Sequence, residues 1–164
     1  MKRWILGLLI ALALAVVVIA GFTQIRLDAL QEPGYLETVL ATKAKHLLVR
    51  WSSREGIPPA PGNLQASIAE GDKVYATDCS MCHGSDGHTP TDNGRWMYPR
   101  ASDLTSRAVR RYSDPELFWI VKNGIRLSGM PAFGRVESDE HIWNLVHYVR
   151  TLPGSAHPES EPPQ

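Results

Sequence analysis

The N-terminal 22 residues are so apolar that they constrain the environment in which this segment can be stable. The basic start Met1-Lys2-Arg3 is followed by 19 residues, Trp4 to Phe22, that carry no charge. At a rise of about 1.5 Å per residue, a helix of this length extends nearly 30 Å, which is roughly the thickness of the hydrocarbon layer of a bilayer. The sequence therefore predicts a membrane-spanning helix over residues 1–22.

A cleaved signal peptide is the alternative for this segment, because Val18-Ile19-Ala20 resembles a small-residue processing site. A signal core typically has about 7–15 apolar residues, so the longer run favours a retained, single-pass anchor. Both interpretations export the residues that follow. With Lys2 and Arg3 on the cytoplasmic side, we expect the chain in the cell inner membrane, with everything after the anchor on the periplasmic side.

The rest of the chain divides into a linker, one domain and a tail. The linker, 23–65, contains an amphipathic pattern over 35–53 and then a stretch rich in proline and glycine, 54–65, which is typical of a semi-rigid spacer. The amphipathic helix is expected either to pack on the main domain or to lie on a membrane or a partner. Residues 66–152 suit one domain, and 153–164, with four prolines, are expected to be disordered.

The overall charge of the chain says little about its partners. Lys and Arg together number 17, and Asp and Glu together also number 17. No net field therefore favours nucleic acid or a strongly acidic partner. The 164 residues leave no room for a second substantial core beside the predicted domain.

The only two cysteines of the sequence form a local motif. Residues 79–83 read Cys79-Ser80-Met81-Cys82-His83, the Cys-x-x-Cys-His arrangement of c-type haem attachment. Two thiols at this spacing can add to the vinyl groups of one porphyrin, and the adjacent histidine is then an axial ligand of the iron. A thioredoxin-like pair should lie near a strand and a helix, and a zinc site needs further ligands, but the surroundings are helical and no third cysteine exists. The motif predicts one covalently bound haem c.

Residues 66–152 as a whole resemble a class I cytochrome c. Gly71 and Tyr75 lie eight and four residues before Cys79, where such cytochromes have a glycine and an aromatic residue on the first helix. Leu145 and Tyr148 resemble the partner positions on the C-terminal helix. A glycine within a helix is explained by the close approach of a second helix. The resemblance implies an all-α, cytochrome c-like haem domain of a few helices, here preceded by the transmembrane helix and the amphipathic linker helix.

Two further helices can be recognised from their caps. Ser113 to Glu116 form a capping box with a proline in the first turn, and Asn123-Gly124 ends that helix. Ser138 begins the C-terminal helix, because its side chain can cap the helix and two acidic residues follow it. In the family, the chain after the middle helix returns across the haem and delivers the second axial ligand.

Met130 is the predicted second axial ligand. The resemblance therefore implies a haem iron that is held by His83 and Met130. Gly129 allows a close approach of the backbone, Pro131 stiffens the loop, and the phrase resembles the axial-methionine loop of the family. A thioether opposite a histidine stabilises ferrous iron, as suits an electron carrier. Met97 is the other methionine in the domain outside the attachment motif, and we interpret it as packing at the haem edge.

The loop that contains Pro99 and Arg100 resembles the one that lines a haem edge in related cytochromes, so both are candidate haem-binding residues. Arg100 is expected either to pair with a propionate or to be solvated. Residues 95–111 contain five arginines against one acid, Asp103, which predicts a docking surface for an acidic partner or a solvated loop. Three histidines are interpreted as surface or structural residues: His88, His141 and His147.

These features predict an electron carrier rather than an enzyme. Iron closed by His83 and Met130 has no vacant position for a substrate, so electrons would pass between redox partner proteins through the haem edge. The chain would serve as an anchored shuttle or as a subunit of a larger respiratory or dehydrogenase complex in the membrane. The alternative is a haem enzyme or gas sensor, in which Met130 does not bind the iron or is easily displaced.

Overall fold

The computed structural model describes residues 2–22 and 33–154, and within these ranges it contains helices and no strand. The chain divides after residue 32 into two compact units. The α-helices of the described ranges are α1 (Lys2–Phe22), α2 (Tyr35–Ser52), α3 (Leu64–Val74), α4 (Ser80–His83), α5 (Asp92–Arg95), α6 (Arg107–Arg110), α7 (Asp114–Asn123) and α8 (Asp139–Thr151). A π-helical turn, Tyr75–Cys79, joins α3 to α4, and a 3₁₀ turn, Phe133–Arg135, precedes α8. The all-α prediction is confirmed.

Helix α1 makes up the described part of the first unit. Its segment Trp4–Gly21 has 18 residues with a mean hydropathy of 2.8, and its side chains are exposed. By length and composition it can cross a membrane, a property that it shares with signal sequences. The anchor therefore stays a prediction. The predicted disordered tail falls mostly on residues 155–164, which lie outside the described residues.

Helix α2 packs against the domain that follows it. Val49 is only 2 % exposed and belongs to the same buried cluster as Trp143 of α8. The chain after α2 is also fixed there, because the indole Nε1 of Trp143 donates a hydrogen bond to the Pro58 carbonyl oxygen at 3.0 Å. The sequence analysis assigned 23–65 to a linker whose helix was expected to pack on the domain or to lie on a membrane or a partner. In the described part of that linker, 33–65, both Val49 and Pro58 contact the domain.

The opposite face of α2 is also apolar, and it is exposed. Four large side chains recur there at helical spacing and are between 59 % and 70 % exposed: Leu36, Leu40, Leu47 and Trp51. Packing on the domain, one of the two roles expected for this helix, thus accounts for its inner face. The outer apolar face is left uncovered by the described residues.

The crossing of α3 and α8 organises the domain. A Cβ atom on Gly71 would lie 2.0 Å from the carbonyl oxygen of Asn144 and 2.9 Å from the Cβ of Tyr148, so the two helices touch at this glycine. Next to the crossing, the ring centroids of Tyr75 and Tyr148 are 5.2 Å apart. Tyr75 and Leu145 share a buried cluster with Cys79. The predicted close approach of the first and last helices of the domain, α3 and α8, is confirmed.

Side-chain caps set the ends of α7 and α8. The Ser113 hydroxyl accepts a hydrogen bond from the Glu116 N–H, and the Glu116 carboxylate accepts one from the Ser113 N–H at 2.7 Å. Helix α7 ends at Gly124, whose φ of +66° lies in the left-handed region that favours glycine. The Ser138 hydroxyl accepts a hydrogen bond from the His141 N–H at the start of α8. These caps are those that the sequence predicts.

Candidate haem-binding site

The Cys-x-x-Cys-His motif lies on a locally widened helix. The N–H of Ser80 donates to the carbonyl oxygen of Tyr75, five residues earlier, and this π-helical turn separates α3 from α4. Such turns are often found at functional sites, because they change the direction in which side chains leave a helix. Cys79 is buried and Cys82 is half-buried, and the two form no disulfide. Burial raises the pKa of the Cys79 thiol to about 12.

The backbone on both sides of Cys82 and His83 is tightly held. Gly84 ends α4 with a φ of +77°, and its carbonyl oxygen accepts a hydrogen bond from the buried Tyr75 hydroxyl at 2.6 Å. On the other side, a Cβ atom on Gly94 would lie only 2.1 Å from the Cys82 carbonyl oxygen, so α5 touches α4 directly. The orientation of the motif is therefore fixed by Tyr75 of the π-helical turn and by α5.

The imidazole of His83 is oriented by one hydrogen bond. Its Nδ1 lies 2.9 Å from the carbonyl oxygen of Ser102. A carbonyl oxygen can only accept, so Nδ1 carries the proton and Nε2 keeps its lone pair. Burial lowers the pKa of His83, and the hydrogen bond to Ser102 opposes that effect in part. The side chain is thus a neutral imidazole with Nε2 available to a metal, which is the arrangement found for metal-ligating histidines.

A cavity of about 750 Å³, part of it open to solvent, brings the predicted ligands together. Cys79, His83 and Met130 all line it. Cys82 is not among the lining residues. Most of the remaining wall is apolar, and half of its residues come from α7 and α8: Leu117, Ile120, Val121, Leu145, Val146 and Val149. The cavity therefore combines a thiol, an imidazole and a thioether with a largely apolar wall.

The loop that carries Met130 is closed by backbone hydrogen bonds. The Met130 N–H donates to the hydroxyl of Ser128 at 3.2 Å, and the Met130 carbonyl oxygen accepts from the Ile125 N–H at 3.4 Å. Gly129 allows a close approach, as predicted, but the group against it is a side chain: a Cβ atom there would lie 2.5 Å from the Sδ of Met97. Met97 is thus half-buried against the methionine loop, and it does not line the cavity.

The other predicted site residues lie outside the cavity wall. Pro99 and Arg100 are exposed and do not line the cavity, so their roles at the haem edge stay predictions. Each of the three histidines that were interpreted as surface or structural residues contacts another side chain. His88 contacts the Asp103 carboxylate, His141 contacts Glu137, and the Nδ1 of His147 lies 2.7 Å from the Ser67 hydroxyl.

Lys45 and Tyr112 are polar residues of the cavity wall that the sequence analysis did not predict as site residues. Lys45 lies on α2, which had been assigned to a linker, and nothing in its local pattern marks it. Tyr112 immediately precedes the capping box of α7, and an aromatic residue at a helix N′ position was the available signal. The Tyr112 hydroxyl is buried and has no hydrogen-bond partner among the described residues. A buried hydroxyl without a partner is unfavourable, so this wall suits a ligand that supplies an acceptor.

These features together fit haem c. The apolar wall suits the porphyrin, Cys79 suits a vinyl group, and His83 and Met130 suit its iron. The motif assigns the second vinyl group to Cys82. An all-α domain that unites a Cys-x-x-Cys-His motif with a methionine-bearing loop at one cavity is a class I c-type cytochrome.

The family comparison agrees with that class. Residues 66–149 match the family model described as cytochrome c oxidase, cbb3-type, subunit III, and the chain belongs to this family of cytochrome c domains. The match covers the domain from α3 to α8 and leaves out α1 and α2. Covalently bound haem c and electron transfer follow from membership of the cytochrome c family.

Known proteins resemble the same part of the chain. Cytochrome c6 of Thermosynechococcus vestitus is 29 % identical over 92 residues, which cover 54 % of this chain and 73 % of that protein. Cytochrome c6 of a Synechococcus species is 31 % identical over 87 residues, covering 51 % and 69 %. Among solved structures, a chain of the reducing HAO-like protein complex of Kuenenia stuttgartiensis superposes with a TM-score of 0.51 at 25 % identity. That match covers 60 % of this chain and 48 % of the other, so this chain spans about half of its length.

Proposed function

We propose that this chain transfers single electrons through one covalently bound haem c, with His83 and Met130 as the axial ligands. The observation that carries the proposal is that Cys79, His83 and Met130 line one cavity. The sequence contains two cysteines and one Cys-x-x-Cys-His motif, which supports a single haem. When bound, the haem supplies iron that alternates between the ferrous and ferric states.

The protein's own residues orient the ligands and exclude water. Ser102 fixes the tautomer of His83, and the hydrogen bonds of Ser128 and Ile125 hold the backbone of Met130. With both axial positions filled by protein, no position is left for a substrate, and the chain acts as a carrier rather than an enzyme. When a haem is bound, these hydrogen bonds would hold His83 and the backbone of Met130 in place.

Helix α1 is proposed as a retained membrane anchor. Its length and hydropathy support a single span in the cell inner membrane, and the basic residues at its start, Lys2 and Arg3, support a periplasmic position of the domain. Mass spectrometry of the protein isolated from membranes tests this proposal. Recovery of the N-terminal peptide supports the anchor, and a chain that begins near Gly21 would show that α1 is a signal peptide.

Redox partner proteins are the proposed partners, with the chain as an anchored shuttle or as a subunit of a membrane complex. The arginine-rich segment supports contact with an acidic partner, because its arginines are exposed: Arg95, Arg100, Arg107, Arg110 and Arg111. One of them also has a structural role, since Arg110 donates hydrogen bonds to the carbonyl oxygens of Thr105 and Leu152. Electron-transfer rates with an acidic partner should therefore fall as the salt concentration rises.

The covalent haem is tested by denaturing mass spectrometry of the purified full-length chain. The expected mass is that of the polypeptide plus one haem, and Cys79→Ser with Cys82→Ser should lose that addition. Haem that is extracted quantitatively by acid acetone from the wild type would refute covalent attachment. Rapid binding of carbon monoxide to the reduced wild type would instead favour the alternative, a haem enzyme or gas sensor with an open sixth position.

A further inference from the structure

Helix α2 supplies a cation to the cavity from outside the matched family domain. Lys45 lines the cavity together with His83 and Met130, yet it precedes the matched range of 66–149. The helix is held in register by Val49, which is buried, and by the neighbouring His46, whose ring stacks on Tyr112 with centroids 4.4 Å apart. Lys45 is therefore positioned by packing.

The ammonium group of Lys45 has no counter-charge among the described residues. No carboxylate of the described residues forms an ion pair with it. Burial lowers the pKa of Lys45, which is the effect expected of a cation that is withdrawn from water without a partner. A partly buried, unpaired cation is unfavourable unless an anion is supplied.

A second residue that lines the cavity also has a polar group without a partner among the described residues. The hydroxyl of Tyr112 is buried without an acceptor among the described residues, and the Tyr112 ring, which lines the cavity, stacks on His46. A cation and an O–H donor in the wall of a largely apolar cavity suit a ligand that carries a carboxylate. Haem c, attached through its vinyl groups, keeps its two propionate carboxylates, which can accept hydrogen bonds.

We propose that Lys45 is the counter-ion of a haem propionate, with the Tyr112 hydroxyl as a second donor to the same carboxylate. The inference rests on the haem site proposed above and assigns a cofactor-binding role to α2. A fixed cation near the haem disfavours the ferric state, which carries one more positive charge than the ferrous state. Lys45 therefore raises the reduction potential of the bound haem.

The test compares reduction potentials of the full-length holoprotein, measured by spectroelectrochemical titration. The variants are Lys45→Gln, Lys45→Arg and the matched control Lys43→Gln, which removes an exposed lysine of the same helix. Lys45→Gln should lower the potential, and the shift should persist at about 1 M salt, where charges in solvent are screened within about 3 Å. Lys45→Arg should keep the wild-type potential. Resonance Raman spectra should show a shifted propionate bending band in Lys45→Gln alone.

Two results would overturn the inference. One is a potential shift in Lys45→Gln that is no larger than that in Lys43→Gln. The other is an equal shift in Lys45→Gln and Lys45→Arg, which would assign the effect to the packing of α2. A wild-type protein that takes up no haem would refute the proposed function and this inference together, whereas a haem-loaded wild type with an unresponsive Lys45→Gln refutes this inference alone.

Discussion

Gly71→Ala should destabilise the domain, although alanine is the better residue for a helix. The new Cβ would lie 2.0 Å from the Asn144 carbonyl oxygen, where ordinary contacts are 3.4 Å or more. The obstacle is backbone, so the methyl group cannot be accommodated by a side-chain rotation. Helices α3 and α8 would have to separate by more than 1 Å at their crossing, roughly the difference between those two distances.

The size of the effect follows from two opposing contributions. Alanine in a helix is favoured over glycine by about 1 kcal/mol. Overpacking of a well-packed core typically costs about 1–3 kcal/mol and occasionally more, and a backbone clash belongs at the upper end. The crossing also holds Tyr75 and Tyr148 together, so separation loosens the buried cluster around Cys79. We expect a net loss of about 2 kcal/mol, or roughly 8–16 °C in Tm.

Guanidinium chloride unfolding of the holoprotein, followed by circular dichroism, measures this change. Gly62→Ala is the matched control, because no atom lies within 4 Å of a Cβ at Gly62. The control should lie within about 0.5 kcal/mol of the wild type. If Gly71→Ala is as stable as the wild type, or more stable by the helix-propensity difference, the account of the crossing is wrong.

Three further predictions concern other contacts of the domain. Tyr75→Phe removes the donor to the Gly84 carbonyl oxygen and should lower the free energy of unfolding by about 1–2 kcal/mol, as measured in urea. Ser113→Ala removes the α7 cap and should cost about 1 kcal/mol in the same assay, whereas a change below about 0.3 kcal/mol would contradict the capping role. Burial lowers the pKa of His46, so its neutral form favours docked α2. Docking of α2 on the domain should be complete above about pH 6.5 and weaken as the pH falls through the lowered pKa of His46. Amide hydrogen exchange measures this change, because exchange in α2 should become faster at low pH. His46→Phe should remove the pH dependence.

Much of the domain could be predicted because its signals are local. The starts of α7 and α8 can be predicted from short capping sequences that contain Ser113, Glu116 and Ser138. The haem-attachment motif can be recognised from residues 79–83 alone. Gly71 pointed to a helix crossing because a glycine within a helix requires an explanation. The methionine loop could be located by its resemblance to the family, and the structure brings Met130 to the same cavity as His83.

The role of α2 could not be read from the sequence for a physical reason. Its apolar residues lie on two opposite faces, so its periodicity does not tell which face is covered. The stretch rich in proline and glycine after it indicated a semi-rigid spacer. The Pro58 carbonyl oxygen nevertheless accepts a hydrogen bond from the Trp143 indole, which lies 85 residues further along the chain. Lys45 and Tyr112 become cavity residues only through this long-range packing.

The central claim, that Met130 closes the iron opposite His83, is tested most directly by the near-infrared absorption of the oxidised protein. Methionine bound to ferric haem gives a charge-transfer band there. We expect this band in the wild type and in Met97→Ala, and its loss in Met130→Ala, together with a lower reduction potential and carbon monoxide binding in the reduced form. Persistence of the band in Met130→Ala, or its absence from a wild type that binds carbon monoxide readily, would contradict the account.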